Sequence, residues 1–243
     1  MSEKRSSDFF RGLKDGIPIG LGYVSVAFGF GIMAVQNGLS VLAAVIISMT
    51  NLTSAGQVAG LTVIASAGSL FEMAAAQFII NLRYSLMSLS LSQKLKAEFT
   101  PLSRLAAAFG ITDEMFAVAS GRSGEVSKKY MAGLIVLPYF SWALGTFLGA
   151  MAGEILPERL KMALGIAIYG MFIAIVVPAA RKSSGVLMTV FCAVALSCCL
   201  RYIPLFSGIS QGFAIIICTV IAAVLGALLF PVKDEPAEGG AGS

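Results

Sequence analysis

The stretch Ser69–Gln93, SLFEMAAAQFIINLRYSLMSLSLSQ, constrains the fold more than any other part of the chain. It is long and apolar enough to cross a bilayer, which takes about 20 helical residues, yet it carries Glu72, Gln77, Asn81 and Arg83. A charge at the centre of a spanning helix costs about 2.5–3.5 kcal/mol on insertion scales, and chains that keep one use it for a substrate, a proton or a partner helix. Gln77, Asn81, Tyr84 and Ser88 are spaced i, i+4, i+7 and i+11 and therefore share one helical face. Glu72 and Arg83 fall at nearly one azimuth but about 16 Å apart along the axis, so in a straight helix they are not a direct ion pair.

The rest of the chain fits the same solvent. Of its 243 residues 57% are hydrophobic and 12% charged, against about 25% charged in a soluble domain. Mean hydropathy is +0.87. Runs such as Ala143–Ala152 and Ala214–Phe230 are apolar on every side, whereas a β-barrel alternates apolar and polar positions in segments of about 10 residues. The class is an all-α polytopic membrane protein embedded in a lipid bilayer. The net charge of +4 belongs to basic cytoplasmic loops and not to a nucleic-acid surface. The chain has no histidine, which removes the commonest metal ligand and the usual neutral-pH proton switch. Cys192, Cys198, Cys199 and Cys218 lie in apolar runs with no metal-binding spacing and read as small packing residues. There is no phosphate-cradling Gly-x-x-x-x-Gly-Lys loop, no Ser/His/Asp set and no HExxH. The sequence reads as neither an enzyme nor a metal or cofactor protein.

In chain order, residues 1–15 carry Lys4, Arg5, Arg11 and Lys14 and are expected in the cytoplasm, with Phe9, Phe10 and Leu13 forming a short interfacial helix. The transmembrane domain occupies residues 16–231, and residues 232–243 read as a flexible tail with the C-terminus also cytoplasmic. About six full spans are expected, near Ile17–Val35, Ser69–Gln93, Tyr130–Ala152, Met162–Ala180, Gly185–Leu200 and Leu205–Phe230. Pro18 is placed in the first turn of its span, and Pro138 and Pro178 predict kinks. Residues 39–68 contain two apolar pieces, each too short to span, separated by Thr50-Asn51-Leu52-Thr53-Ser54-Ala55-Gly56-Gln57. That is the pattern of a broken or re-entrant helix, whose freed backbone groups must face protein or a water-filled cavity; a continuous helix with its polar residues packed on neighbours is the other reading. Residues 99–120, with Pro101 and Gly110-Ile111-Thr112-Asp113-Glu114, pose the same choice between a re-entrant segment and a plain amphipathic helix. In this topology the two interruptions enter from opposite sides, as an inverted repeat would place them.

The candidate solute ligands are Asn51, Ser54, Gly56, Gln57, Gln77, Asn81, Arg83 and Tyr84, and the proton-coupling candidates are Glu72, Asp113 and Glu114. A buried carboxylate can carry a proton, and an arginine that stays charged can hold a carboxylate in bidentate fashion. Together they suit a proton-coupled carrier of a carboxylated solute. The alternative is that Glu72 or Arg83 pairs with a neighbouring helix or a small partner subunit.

Four motifs carry a family resemblance: Gly12-Leu13-Lys14-Asp15-Gly16-Ile17-Pro18 with Gly22 and Phe28-Gly29; Ser54-Ala55-Gly56-Gln57; Asn81-Leu82-Arg83-Tyr84; and Thr112-Asp113-Glu114. With these, over roughly residues 8–231, the chain resembles the AzlC family of branched-chain amino-acid exporters. The family pattern has an Ala-Gly-x-x-Gln-like second motif, shorter here, and a histidine where this chain has Tyr84, so an imidazole proton relay is not available. The resemblance implies a bacterial inner-membrane protein that exports valine, leucine, isoleucine or similar neutral amino acids on the proton motive force. It also implies a small second membrane subunit of the AzlD type. The sequence leaves open whether the chain assembles as an oligomer. A channel-like pore for a small solute and a non-transporting membrane scaffold are the alternative functions.

Overall fold

The structure, a computed structural model, describes residues 2–206 and 208–230. Among these the chain is helical apart from turns and one isolated parallel bridge, Leu95 to Val126. The helices are α1 (Ser2–Gln36), α2 (Val41–Thr50), α3 (Ser54–Ala65), α4 (Leu70–Ser92), α5 (Pro101–Phe109), α6 (Asp113–Gly121), α7 (Lys128–Ile155), α8 (Glu158–Lys182), α9 (Ser184–Tyr202) and α10 (Gln211–Leu229). The chain divides within α8 into a larger unit, Met1–Phe172, and a smaller one, Ile173–Ser243.

Local sequence accounts for where the helices begin. Ser40, Thr53, Ser69, Thr100, Thr112, Ser127, Ser183 and Ser210 are N-caps, each accepting a backbone N–H from the first turn with its side-chain oxygen. Such a cap contributes about 1 kcal/mol by satisfying a donor that the helix leaves free. Pro101 follows Thr100 as the first residue of α5, where a missing N–H costs nothing. Ala67 closes α3 at φ +52 and Gly68 donates back to the Val63 carbonyl at 2.8 Å, turning the chain sharply into α4.

The larger unit is built on α1 and α7, which lie side by side along their whole length. They run parallel: Gly12 abuts Tyr130, Gly20 abuts Ser141, and Ile32 abuts Gly153. A Cβ at Gly149 would run into the Phe28 carbonyl, and one at Gly12 into the Tyr130 carbonyl. Only glycine allows the backbones this close, as small-residue interfaces do in membranes. Around this pair one cluster packs Ile19, Tyr23, Leu52, Met115, Met131 and Trp142, and a second packs Phe30, Ala34, Ala44, Leu61 and Ala150. Parallel α1 and α7 agree with the expected topology, in which both begin on one side. Polar ties hold their first turns: Ser127 donates to Asp8 at 2.7 Å, Tyr130 donates to Asp15 at 2.7 Å, and the Arg122 guanidinium lies 4.0 Å from the Tyr130 ring centroid.

In the smaller unit α9 packs on α10, with Gly226 against Thr189 and Gly185 against Phe230. Large apolar side chains point outward throughout, among them Phe78, Leu86, Phe140, Phe191 and Leu228. In water that would be an aggregation liability; facing acyl chains it is the expected surface.

Several expectations need amending. Among the described residues four helices are long and apolar enough to cross a membrane: α1 from Asp8, α7, α9 and α10. The count of about six spans is therefore not confirmed. α4 has the length, about 34 Å at 1.5 Å per residue, but its polar residues keep it out of that set. Residues 2–15 do not form a separate interfacial helix; they continue into α1, because the Gly12 and Gly133 contacts carry the α1–α7 interface down to Phe9. Pro18 is consequently inside a long helix and not in a first turn. Both interrupted regions are broken helices, at residues 51–53 and 110–112, and not continuous ones. The tail at 232–243 lies outside the described residues.

Candidate functional site

The two breaks and the middle of α4 enclose an open cleft of about 390 Å³, within the range of small-ligand pockets. Thr50, Asn51, Thr53, Asn81, Tyr84, Ser85 and Ser88 supply its polar lining, and Leu52, Ala108, Phe109 and Ile111 its apolar lining. The predicted polar face of α4 is thus real from Asn81 to Ser88. A second cleft, about 360 Å³ between α5 and α7, is mostly apolar, with Thr100, Ser103 and Lys128 as its polar lining. It lacks the convergent polar groups a zwitterion needs.

Amides stitch α4 to the first break. Gln77 donates through Nε2 to the Gly56 carbonyl at 2.7 Å, and its Oε1 accepts from Asn51 Nδ2 at 3.1 Å and from Asn81 Nδ2 at 3.3 Å. Asn81 also donates to the Gln77 carbonyl at 2.8 Å. Gln77 therefore ties the first turn of α3 and the Asn51 side chain to α4, and it orients Asn51 and Asn81 at the cleft wall.

Charge joins α4 to the second break. Arg83 pairs with Asp113 at 2.7 Å and donates to the Tyr84 hydroxyl at 2.9 Å, which in turn donates to Thr53 Oγ1 at 3.2 Å. The guanidinium also lies 4.8 Å from the Tyr84 ring centroid. The Arg83 side chain is 48% exposed and does not itself line the cleft, which it adjoins through Tyr84. Asp113 and Glu114 open α6 but diverge, as neighbours on a helix must. Glu114 accepts from the Tyr23 hydroxyl at 2.6 Å, and Thr112 Oγ1 lies 2.5 Å from the same hydroxyl. The Tyr23 ring meets Trp142 edge-on at 4.9 Å.

The remaining candidates are placed elsewhere. Gln57 is buried behind the break, where its Nε2 donates to the Asn51 carbonyl at 2.7 Å and to Ser48 Oγ at 3.2 Å, and Ser48 bonds Thr146 of α7 at 2.6 Å. It braces the bend and does not line the cleft. Its Oε1 is buried without a partner among the described residues. Gly56 contributes its carbonyl, and a Cβ there would meet Gln77 Oε1 at 2.8 Å. Ser54 opens α3 beside the cleft without lining it. Glu72 is buried in the first turn of α4, three positions after the cap Ser69. Its backbone N–H donates to Ser69 Oγ at 3.1 Å, and it lies about 16 Å from Arg83 along the axis. The sequence reading missed Tyr23; its only signal was a hydroxyl-bearing ring in a glycine-rich apolar span. Ser85 was also missed, although it lies one turn after Asn81 on the cleft side of α4.

Fold and cleft together define an all-helical integral membrane protein whose polar cleft is framed by two helix breaks and one charged helix. Residues 18–156, which contain both breaks, match the family described as AzlC protein. The chain belongs to the AzlC family. It is 35% identical over 179 residues, 73% of this chain and 78% of the relative, to an uncharacterized membrane protein of Archaeoglobus fulgidus. To the inner membrane protein YgaZ of Escherichia coli K12 it is 28% identical over 237 residues, 95% of each chain. To an uncharacterized membrane protein of Helicobacter pylori it is 27% identical over 154 residues, 60% of this chain and 67% of the relative. No solved structure matches the chain.

Proposed function

We propose that this protein is a secondary transporter, not an enzyme, that exports small neutral amino acids of the valine, leucine and isoleucine kind across an inner membrane, driven by protons. Family membership supports membrane transport, and the resemblance to branched-chain exporters supplies the solute and its direction. The observation that carries the reading is the cleft between the two breaks, polar on its α4 side and apolar at Leu52, Ala108, Phe109 and Ile111. A zwitterion with an apolar side chain has the complementary parts. Its carboxylate goes to Arg83 and the Tyr84 hydroxyl, since guanidinium–carboxylate pairs are strong and directional. Its ammonium goes to the amide oxygens and last carbonyls of α2, the negative end of that helix. Its side chain goes to the apolar wall. A small AzlD-type subunit is the proposed partner and covers part of the exposed apolar surface.

The test is flux of a panel of labelled amino acids in liposomes, with and without a pH gradient. Saturable valine or leucine movement that follows the gradient supports the reading. Flux that neither saturates nor responds to protons replaces it with a pore, and no flux with the small subunit present replaces it with a scaffold.

A further inference from the structure

The cleft between α5 and α7 plays no part in the proposed transport, and its two ends differ in chemistry. α5 starts beside the start of α7: Glu98, just before α5, accepts the Lys128 backbone N–H at 2.8 Å. α5 ends beside Ile135, whose side chain lies 2.6 Å from where a Gly110 Cβ would stand. The two helices therefore run side by side in one direction. Lys128, Thr100 and Ser103 form the polar start of the cleft, and Ala132, Val136, Leu102 and Ala106 belong to its apolar remainder. From Lys128 to Val136 α7 rises about 12 Å. The polar start is also the charged end of the α1–α7 pair, since Gly12 abuts Tyr130 and both Arg11 and Lys129 are exposed there. Beyond it Leu102 and Leu105 of α5 and Val136 and Phe140 of α7 are exposed, so the groove opens onto a surface that suits acyl chains.

We propose that this groove holds one anionic phospholipid, with its headgroup phosphate on Lys128 and one acyl chain along Ala132 and Val136 against Leu102 and Ala106. The site is independent of which solute the protein carries. Charge selects the headgroup. Among the described residues the Lys128 ammonium has no ion-pair partner, and Glu98, the acid beside it, does not line the groove and accepts the backbone N–H. The two hydroxyls are already used within α5: Thr100 donates to Ser103 Oγ at 3.2 Å, and Ser103 donates to the Thr100 carbonyl at 2.9 Å. Discrimination therefore falls to the lysine, and basic groups between spanning helices at a membrane surface attract anionic headgroups. A zwitterionic lipid brings its own cation and gains less from Lys128. A small anion such as inorganic phosphate matches the lysine but leaves the apolar length of the groove empty.

The test titrates the full chain, stripped of lipid in detergent, with dioleoyl phosphatidylglycerol or dioleoyl phosphatidylcholine, and reads the first bound lipid by native mass spectrometry. The two lipids share their chains, so a difference reports the headgroup. Phosphatidylglycerol should bind about fivefold tighter, the scale of one lysine at an anionic surface. Lys128→Gln should lower phosphatidylglycerol to the level of phosphatidylcholine and leave the latter unchanged. Lys129→Gln, one residue on and outside the groove lining, should keep the preference. Ala132→Trp, which fills the groove, should weaken both lipids. Equal binding of the two lipids by the wild type overturns the proposal, as does a preference that survives Lys128→Gln. Equal losses in Lys128→Gln and Lys129→Gln would replace the site with a diffuse basic surface. An Ala132→Trp protein with wild-type circular dichroism and unchanged affinity for both lipids would place the acyl chain elsewhere and overturn it too. If that variant does not fold, the two lysine variants, both at exposed positions, decide alone.

Discussion

The two breaks are alike in backbone and opposite in chemistry. Each interrupts a short helix pair for three residues, at 51–53 and 110–112, and each restarts on a threonine cap, Thr53 or Thr112, both buried. The first is closed by neutral amides: Gln77, Asn51, Asn81 and, behind them, Gln57. The second is closed by an ion pair and a phenol–carboxylate bond, Arg83 to Asp113 and Tyr23 to Glu114. Amide networks do not change protonation near neutral pH, so the first break is a fixed wall. An ion pair can be released by a competing anion or a proton, so the second break is the side able to change. A shared backbone device thus yields a rigid half and a responsive half.

The comparison can be broken by substitution. The largest expected effect is on transport, from Arg83→Ala: removing the cation should lower valine export about 100-fold, the scale of losing one partner of a paired charge. Unchanged circular dichroism would show that the protein still folds. Normal export by this variant would remove the second break from the mechanism. Gln77→Leu should act on stability, lowering it by about 2 kcal/mol in thermal unfolding, because the Asn51 amide loses its acceptor and the Gly56 carbonyl a donor, while Asn81 keeps its bond to the residue 77 carbonyl. A neutral result would mean that the first break needs no stitch. Thr53→Val and Thr112→Val should each cost about 1 kcal/mol as lost caps. Equal costs support the backbone likeness of the two breaks; a clearly larger loss for Thr112→Val would weight Tyr23 into the second. The smallest effect is expected from Tyr23→Phe, about 0.5–1 kcal/mol for one net hydrogen bond, with export slowed but retained; complete loss of export would make Tyr23 a member of the site.

Much of the fold was legible because burial in lipid leaves a coarse trace. The starts and ends of α7 and α9 fall within a few residues of the apolar runs, whereas the polar interruptions around Asn51 and Thr112 left a broken helix and an unbroken one as equal readings. The polar face of α4 followed from spacing alone. What sequence could not supply was pairing. Nothing in the chain links Gln77 to Gly56, or Arg83 to Asp113 thirty positions later, because those bonds depend on how α4 lies between the breaks. Gln57 was misplaced for a related reason: a glutamine beside a bend can face either the cleft or the helix behind it, and Ser48 with Thr146 drew it inward.

The parallel contact of α1 with α7 has a consequence for biogenesis. Gly12 must meet Tyr130, so the earlier helix waits for one made more than a hundred residues later. At ribosomal speeds of about 5–20 residues per second the delay is on the order of ten seconds. Throughout that interval the glycine-lined seam of α1 is unclaimed, and whatever shields it as the nascent chain enters the membrane governs how much protein matures.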